Sequence, residues 1–161
     1  MLTDREFTAL AAKYMDMVYR VALNCVKAPA DADDVTQNVM LRLCRARETF
    51  RGEEHVKAWL IRVAVNESKR LLSAPWRART VALDQAAARP AAGAEEGREL
   101  LEAVAALPGK YRLPLYLYYY EGYRVEEIAR LTGRLPSTIQ TRLARGRERL
   151  KRMLTQEEQY G

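Results

Sequence analysis

Apolar residues recur at three- and four-residue spacing along nearly the whole chain, and no alternating pattern is sustained. That periodicity predicts helices and no sheet. Helical stretches are expected near Asp4–Val26, Ala30–Ala46, Val56–Ser73, Gly97–Ala106, Lys110–Glu121, Val125–Leu131 and Ser137–Leu154. Between Val81 and Arg98 the pattern stops: seven alanines accompany Gly93, Gly97 and Pro90, with only Val81 and Leu83 as larger apolar groups. Too little can be buried there to offset the ordering of the backbone, so the stretch reads as a linker. An Ala-rich helix broken at Pro90 is the alternative. The expected fold class is all-α, with two small helical modules, residues 1–80 and 99–161, joined by a flexible linker over 81–98. The second module is small enough to be marginally stable alone.

The sharpest local signal is Val125-Glu126-Glu127-Ile128-Ala129-Arg130-Leu131-Thr132-Gly133 running into Arg134-Leu135-Pro136-Ser137-Thr138-Ile139. Two helices crossing steeply need a small side chain at their contact, which Ala129 supplies. Gly133, four positions on, tolerates the positive φ of the turn. Ile128, Leu131 and Ile139 are the expected shared core, and Pro136 with Ser137 suits a helix start. On a wheel of the second helix Ile139, Leu143 and Leu150 cluster on one side with Gly146 beside them. Thr141, Arg145, Glu148 and Arg152 fall opposite, flanked by Gln140 and Arg142. A core face backed by a polar, cationic face is what a major-groove reader requires, since Arg pairs with guanine edges or phosphates and Gln with adenine. A solvated basic face on a packing helix is the bland alternative.

The stretch Val56–Ser73 carries a related pattern. Leu60, Ile61, Ala64, Leu71 and Leu72 define its expected buried side, whereas Trp59, Arg62, Asn66, Lys69 and Arg70 share the other arc. An aromatic ring beside cations and an amide suits unstacked bases, each stacking contact adding about 1–3 kcal/mol. Trp59 as a core cap among solvated charges fits the spacing as well. His55 reads as a surface-loop residue. On Ala30–Ala46, Val35, Val39 and Leu43 form the inward stripe, and Asp34, Gln37, Asn38 and Leu41 lie together on the far side. An exposed Leu in a polar patch suits a protein–protein contact, though it is also ordinary surface. Tyr116, Tyr118, Tyr119 and Tyr120 read as packing residues with wet hydroxyls rather than as a stacking box. Cys25 and Cys44 read as small buried helix residues.

Charge sharpens this picture. The 161 residues hold 27 Lys and Arg against 21 Asp and Glu, a formal net charge of +6. The sequence pI is near 9.5. Seven cations and the single anion Glu148 lie between Arg134 and Arg152, and Lys69, Arg70, Arg77 and Arg79 form a second cluster. Two basic patches on one short chain suggest two contacts with a long polyanion. Two cysteines and one histidine are too few for a Cys/His zinc site or a disulfide framework. No phosphate-binding loop, metal-ligand spacing or Ser/His pair stands out, so neither an enzyme nor a cofactor is expected. The N-terminus shows no secretory pattern and no apolar run reaches membrane-spanning length, which predicts a soluble, cytoplasmic protein without membrane insertion.

Several ordered strings carry a family resemblance. They are Asp31-Ala32-Asp33-Asp34-Val35-Thr36-Gln37, Thr49-Phe50-Arg51-Gly52, and Ala58-Trp59-Leu60-Ile61-Arg62-Val63-Ala64-Val65-Asn66. Later come Leu107-Pro108-Gly109-Lys110-Tyr111-Arg112 and Tyr119-Tyr120-Glu121-Gly122-Tyr123. Through these, Phe7 to Arg79 resembles region 2 of the extracytoplasmic-function (ECF) sigma factors of the sigma-70 family, and Leu100 to Leu154 resembles their region 4. The resemblance implies a transcription initiation factor that binds core RNA polymerase and promoter DNA and catalyses nothing itself. It implies that Asp34, Gln37, Asn38 and Leu41 dock on the clamp helices of the largest subunit, with the flap as a further polymerase contact. It implies −10 capture by Phe50, Arg51, Trp59, Arg62, Asn66, Lys69 and Arg70, the first two in the loop Phe50 to Val56. It implies −35 contact by Ser137, Thr138, Gln140, Thr141, Arg142, Arg145 and Arg149. The linker would thread toward the RNA exit path, and an anti-sigma factor is a further partner. The chain departs from the family pattern at Asn38, often acidic; at Gln140, often basic; at Ala144, larger in some members; and at Arg134, usually apolar, where Leu135 is expected to take over the packing. A stand-alone helix-turn-helix regulator, sensing something through its N-terminal module, is the rival reading.

Overall fold

The computed structural model describes residues 1–74 and 98–160. Among these, α1 spans Asp4–Val26, α2 Pro29–Cys44, α3 Glu53–Leu72, α4 Arg98–Ala106, α5 Gly109–Leu115, α6 Val125–Thr132 and α7 Pro136–Tyr160. A π-helical turn, Tyr116–Tyr120, continues α5. No strand occurs among the described residues. The expected linker falls on residues that lie outside the described ones, as do Arg77 and Arg79 of the second basic cluster. The chain divides into two compact units, Met1–Ala88 and Arg89–Gly161.

In the first unit α1, α2 and α3 pack against one another in all three pairings. The Thr3 hydroxyl starts α1 by accepting the Glu6 N–H at 3.1 Å. Val18, Val21 and Ala22 of α1 meet Val35, Val39 and Leu43 of α2 and Leu60, Ile61, Ala64 and Val65 of α3, all at 1% exposure or less. Each such large aliphatic chain contributes roughly 1.5–3 kcal/mol through burial. Leu72 departs from expectation: it is exposed, and Leu71 is half-buried. The apolar arc of the wheel thus runs past the last buried positions of α3, Glu67 and Ser68. Neither cysteine is buried: Cys25 is half-buried, and Cys44 ends α2 in solvent.

In the second unit α7 packs on α4, α5 and α6. Ile128, Ile139 and Leu143 are fully buried, with Ala129 and Leu131 beside them. Gly133 takes φ 69° and ψ 31°, a left-handed cap that an L side chain resists. The tight turn then throws Leu135 outward. Its carbonyl accepts the Ile139 N–H at 3.1 Å, the position just before α7, and its side chain is 69% exposed. The expected repacking by Leu135 therefore does not occur.

The helix expected over Lys110–Glu121 is also two pieces. Pro114 brings no N–H to the ladder of α5, and beyond it the Glu121 N–H reaches the Tyr116 carbonyl, five residues back, at 3.2 Å. The wider turn changes the angular phase. Leu113, Leu115 and Leu117 face inward, Tyr116 is half-buried, and Tyr118, Tyr119 and Tyr120 are exposed by 37%, 59% and 60%. Three of the four tyrosines expected to pack thus face solvent.

Candidate nucleic-acid and polymerase interfaces

On the second unit the polar face of α7 is built by the turn before it. Glu127 reaches back from the first turn of α6 to accept both the Arg124 backbone N–H, at 3.1 Å, and its Nε–H, at 3.0 Å. Those two bonds hold the Glu127 carboxyl below its usual range, the side-chain bond first. The entry to the helix-turn-helix is therefore fixed without spending a group of α7. Ser137, Gln140, Thr141, Arg145 and Arg149 are exposed, while Thr138 and Arg142 are half-buried.

An open cleft of about 340 Å³ lies between α5 and the first turns of α7. Lys110 and Tyr111 wall one side; Ser137, Thr138, Thr141, Arg142 and Arg145 wall the other. Arg142 is held below the usual guanidinium range, by burial first and then by the charge of Arg134. Arg149 lies over the Tyr111 ring, its Cζ 5.1 Å from the centroid, a cation–π contact that ties it to α5. Gln140 stands apart from the cleft. On the far flank Arg147 donates to the Tyr119 hydroxyl at 2.9 Å, and Arg152 pairs with Glu148 at 2.7 Å.

On the first unit Asp34, Gln37, Asn38 and Leu41 are all exposed on one face of α2. Arg51, Arg62, Asn66, Lys69 and Arg70 are exposed as well, and Phe50 and Trp59 are half-buried. The Phe50 ring sits edge-on to His55 at 5.3 Å and to Trp59 at 5.5 Å. The Arg51 N–H donates to His55 Nδ1 at 3.0 Å. His55 is thus not a loop residue: it lies in the first turn of α3 and fastens the preceding loop to it. Trp59 is neither a buried cap nor a free platform, because Phe50 covers one side of it.

Trp59 and Arg70 also line an open groove of about 700 Å³ with Asn38, Leu41, Arg42 and Glu67. Members of the expected polymerase and −10 sets thus share one groove between α2 and α3, whereas Asp34, Gln37, Arg62, Asn66 and Lys69 lie outside it. Its floor holds a residue that the reading of the sequence passed over. The Glu67 side chain is 9% exposed and bonds Arg42 at 2.7 Å, with Arg70 at 3.7 Å. A signal was there: Glu67 falls within the apolar arc of the α3 wheel, where a carboxylate needs a partner. Arg112 of α5 is a second such case, buried and donating to the Leu107 carbonyl at 2.6 Å.

Comparison with known proteins meets these two units separately. Residues 10–78 match sigma-70 region 2, and residues 97–150 match sigma-70 region 4. The RNA polymerase sigma factor SigV of Bacillus subtilis is 30% identical over 143 residues, covering 87% of this chain and 86% of its own. The ECF RNA polymerase sigma factor SigM of Mycobacterium tuberculosis is 29% identical over 150 residues, covering 92% and 76%. Among solved structures, the sigma factor RpoE in complex with the anti-sigma factor NepR, from Bartonella quintana, gives a TM-score of 0.76 at 22% identity. That match covers 94% of this chain and 98% of the other, and speaks for the fold. CnrH in complex with the cytosolic domain of CnrY gives 0.61, also at 22% identity, covering 95% and 90%. With region 2 on the three-helix bundle, region 4 on the helix-turn-helix unit, and relatives of one kind along nearly its full length, this chain belongs to the ECF sigma factors of the sigma-70 family.

Proposed function

We propose that this sigma factor binds core RNA polymerase through the α2 face of Asp34, Gln37, Asn38 and Leu41. The aromatic-topped loop at Phe50 and Arg51, with Trp59, Arg62, Asn66, Lys69 and Arg70, holds bases drawn from the opened −10 strand. Flipping a base costs a few kcal/mol, which stacking and pocket contacts offset. Ser137, Thr138, Gln140, Thr141, Arg142, Arg145 and Arg149 contact the −35 duplex. Residues 1–80 and 99–161 act as the two functional modules, with 81–98 as the tether. The protein works in the cytoplasm as a selector of start sites and catalyses no reaction of its own. An anti-sigma factor is the expected regulator, in keeping with the complex in which the structurally similar RpoE was solved.

The observation that carries this reading is the pairing, on one chain, of a cationic helix-turn-helix face with a separate bundle that presents aromatic, amide and cationic groups beside an exposed docking face. Run-off transcription with core polymerase across genomic fragments tests it. Defined starts that appear only when the chain is added are the expected result. Tight binding to duplex by the chain alone, with start sites unchanged, would instead mark a stand-alone regulator.

A further inference from the structure

The cleft between α5 and α7 places a cation from outside the helix-turn-helix on the same surface as its polar face. Lys110 of α5 faces Ser137, Thr141, Arg142 and Arg145 of α7 across an opening of about 340 Å³. Its Nζ lies 5.1 Å from the Tyr111 ring centroid, a cation–π contact with the other α5 residue that lines the cleft. Among the described residues none of Lys110, Arg142 and Arg145 forms an ion pair with an acid, and the nearby Glu148 is engaged by Arg152. Burial and the Arg134 charge both disfavour the charged form of Arg142, as expected where like charges converge without an anion between them. Ammonium, guanidinium and hydroxyl donors converging on one open cleft match an oxyanion with several acceptor oxygens.

We infer that Lys110 is a DNA-contacting residue: it clamps a backbone phosphodiester of the −35 duplex against the start of α7. The inference rests on the −35 reading above and extends the footprint to α5. A helix entering the major groove brings its flanking elements against the phosphates on either side, and such contacts position the protein without reading sequence. Lys110 therefore contributes affinity and salt dependence but no base preference.

The test is equilibrium binding of holoenzyme, wild type or carrying Lys110→Ala or Lys110→Arg, to promoter duplex and to a fragment with a scrambled −35 element across a salt series. Losing one phosphate contact should make the log–log salt slope of Lys110→Ala shallower by about 0.9. Raising salt from about 50 to 200 mM would then weaken the wild type about threefold more than the variant. The ratio between the two duplexes should stay constant, and Lys110→Arg should restore the slope. Millimolar inorganic phosphate at constant ionic strength should leave the difference intact. An unchanged slope in Lys110→Ala overturns the inference while leaving the sigma reading standing. A difference erased by inorganic phosphate also overturns it, assigning the cleft to a free anion. Wild-type holoenzyme that does not distinguish the duplexes overturns both.

Discussion

Gly146 sits inside α7, where replacing glycine by alanine ordinarily stabilises a helix by about 1 kcal/mol. Here a Cβ would meet Leu115 Cδ1 at 2.9 Å and Tyr111 Cβ at 3.3 Å. Both neighbours are buried at 3% exposure, so neither can step aside without opening the core. Overpacking of this kind costs about 1–3 kcal/mol and outweighs the propensity gain. Gly146→Ala should therefore lower the stability of the helix-turn-helix unit, read as an earlier urea midpoint at unchanged slope. The wheel placed Gly146 beside the core but could not say why a side chain was missing there. That reason is the approach of α5, a contact between residues some thirty positions apart.

At the level of elements, α2 and α3 are joined across their groove by Arg42 and Glu67. The pair is lopsided: the Arg42 side chain is 51% exposed and Glu67 only 9%. Removing the acid leaves an arginine that water can solvate. Removing the arginine leaves a carboxylate in the groove floor with only the longer contact to Arg70. Arg42→Ala should accordingly destabilise the bundle by about 1–3 kcal/mol, and Glu67→Gln by less, a ranking that chemical denaturation of the two variants reads directly. On α7 the exposed Arg145 allows a complementary measurement. Arg145→Ala should reduce discrimination between −35 sequences by about 1–3 kcal/mol if the guanidinium pairs with a base edge. Equal losses on all sequences would make it a phosphate contact instead. The same scale holds the misread helix. Four tyrosines spread round the circumference of one helix were expected to pack with their hydroxyls wet, and in the π-helical turn that follows Pro114 three of them face solvent.

Considered whole, the chain is two units with different chemistry, and on the proposed roles one substitution should separate initial DNA binding from opening. Asn66 is exposed on α3, far in sequence from the helix-turn-helix. Asn66→Ala holoenzyme should bind duplex promoter nearly as well as the wild type yet show weaker permanganate reactivity at the −10 strand. A pre-melted template should largely rescue it. Equal defects on both templates would remove Asn66 from strand capture. No helix among the described residues is long and apolar enough to cross a membrane.

Local spacing determined the all-helical class, the inward stripes of α2 and α7, and the turn at Gly133, because each is set by residues within a few positions of one another. The family's ordered strings did the same for the division into regions 2 and 4. Where two elements meet, only the tertiary structure decided. It placed Leu135 and Leu72 in solvent and buried Glu67 against Arg42. It hung the Phe50 loop on His55 and brought Lys110 across from Arg145. Those outcomes depend on which partner an exposed or apolar side chain finds across space, and helical spacing carries no record of that partner.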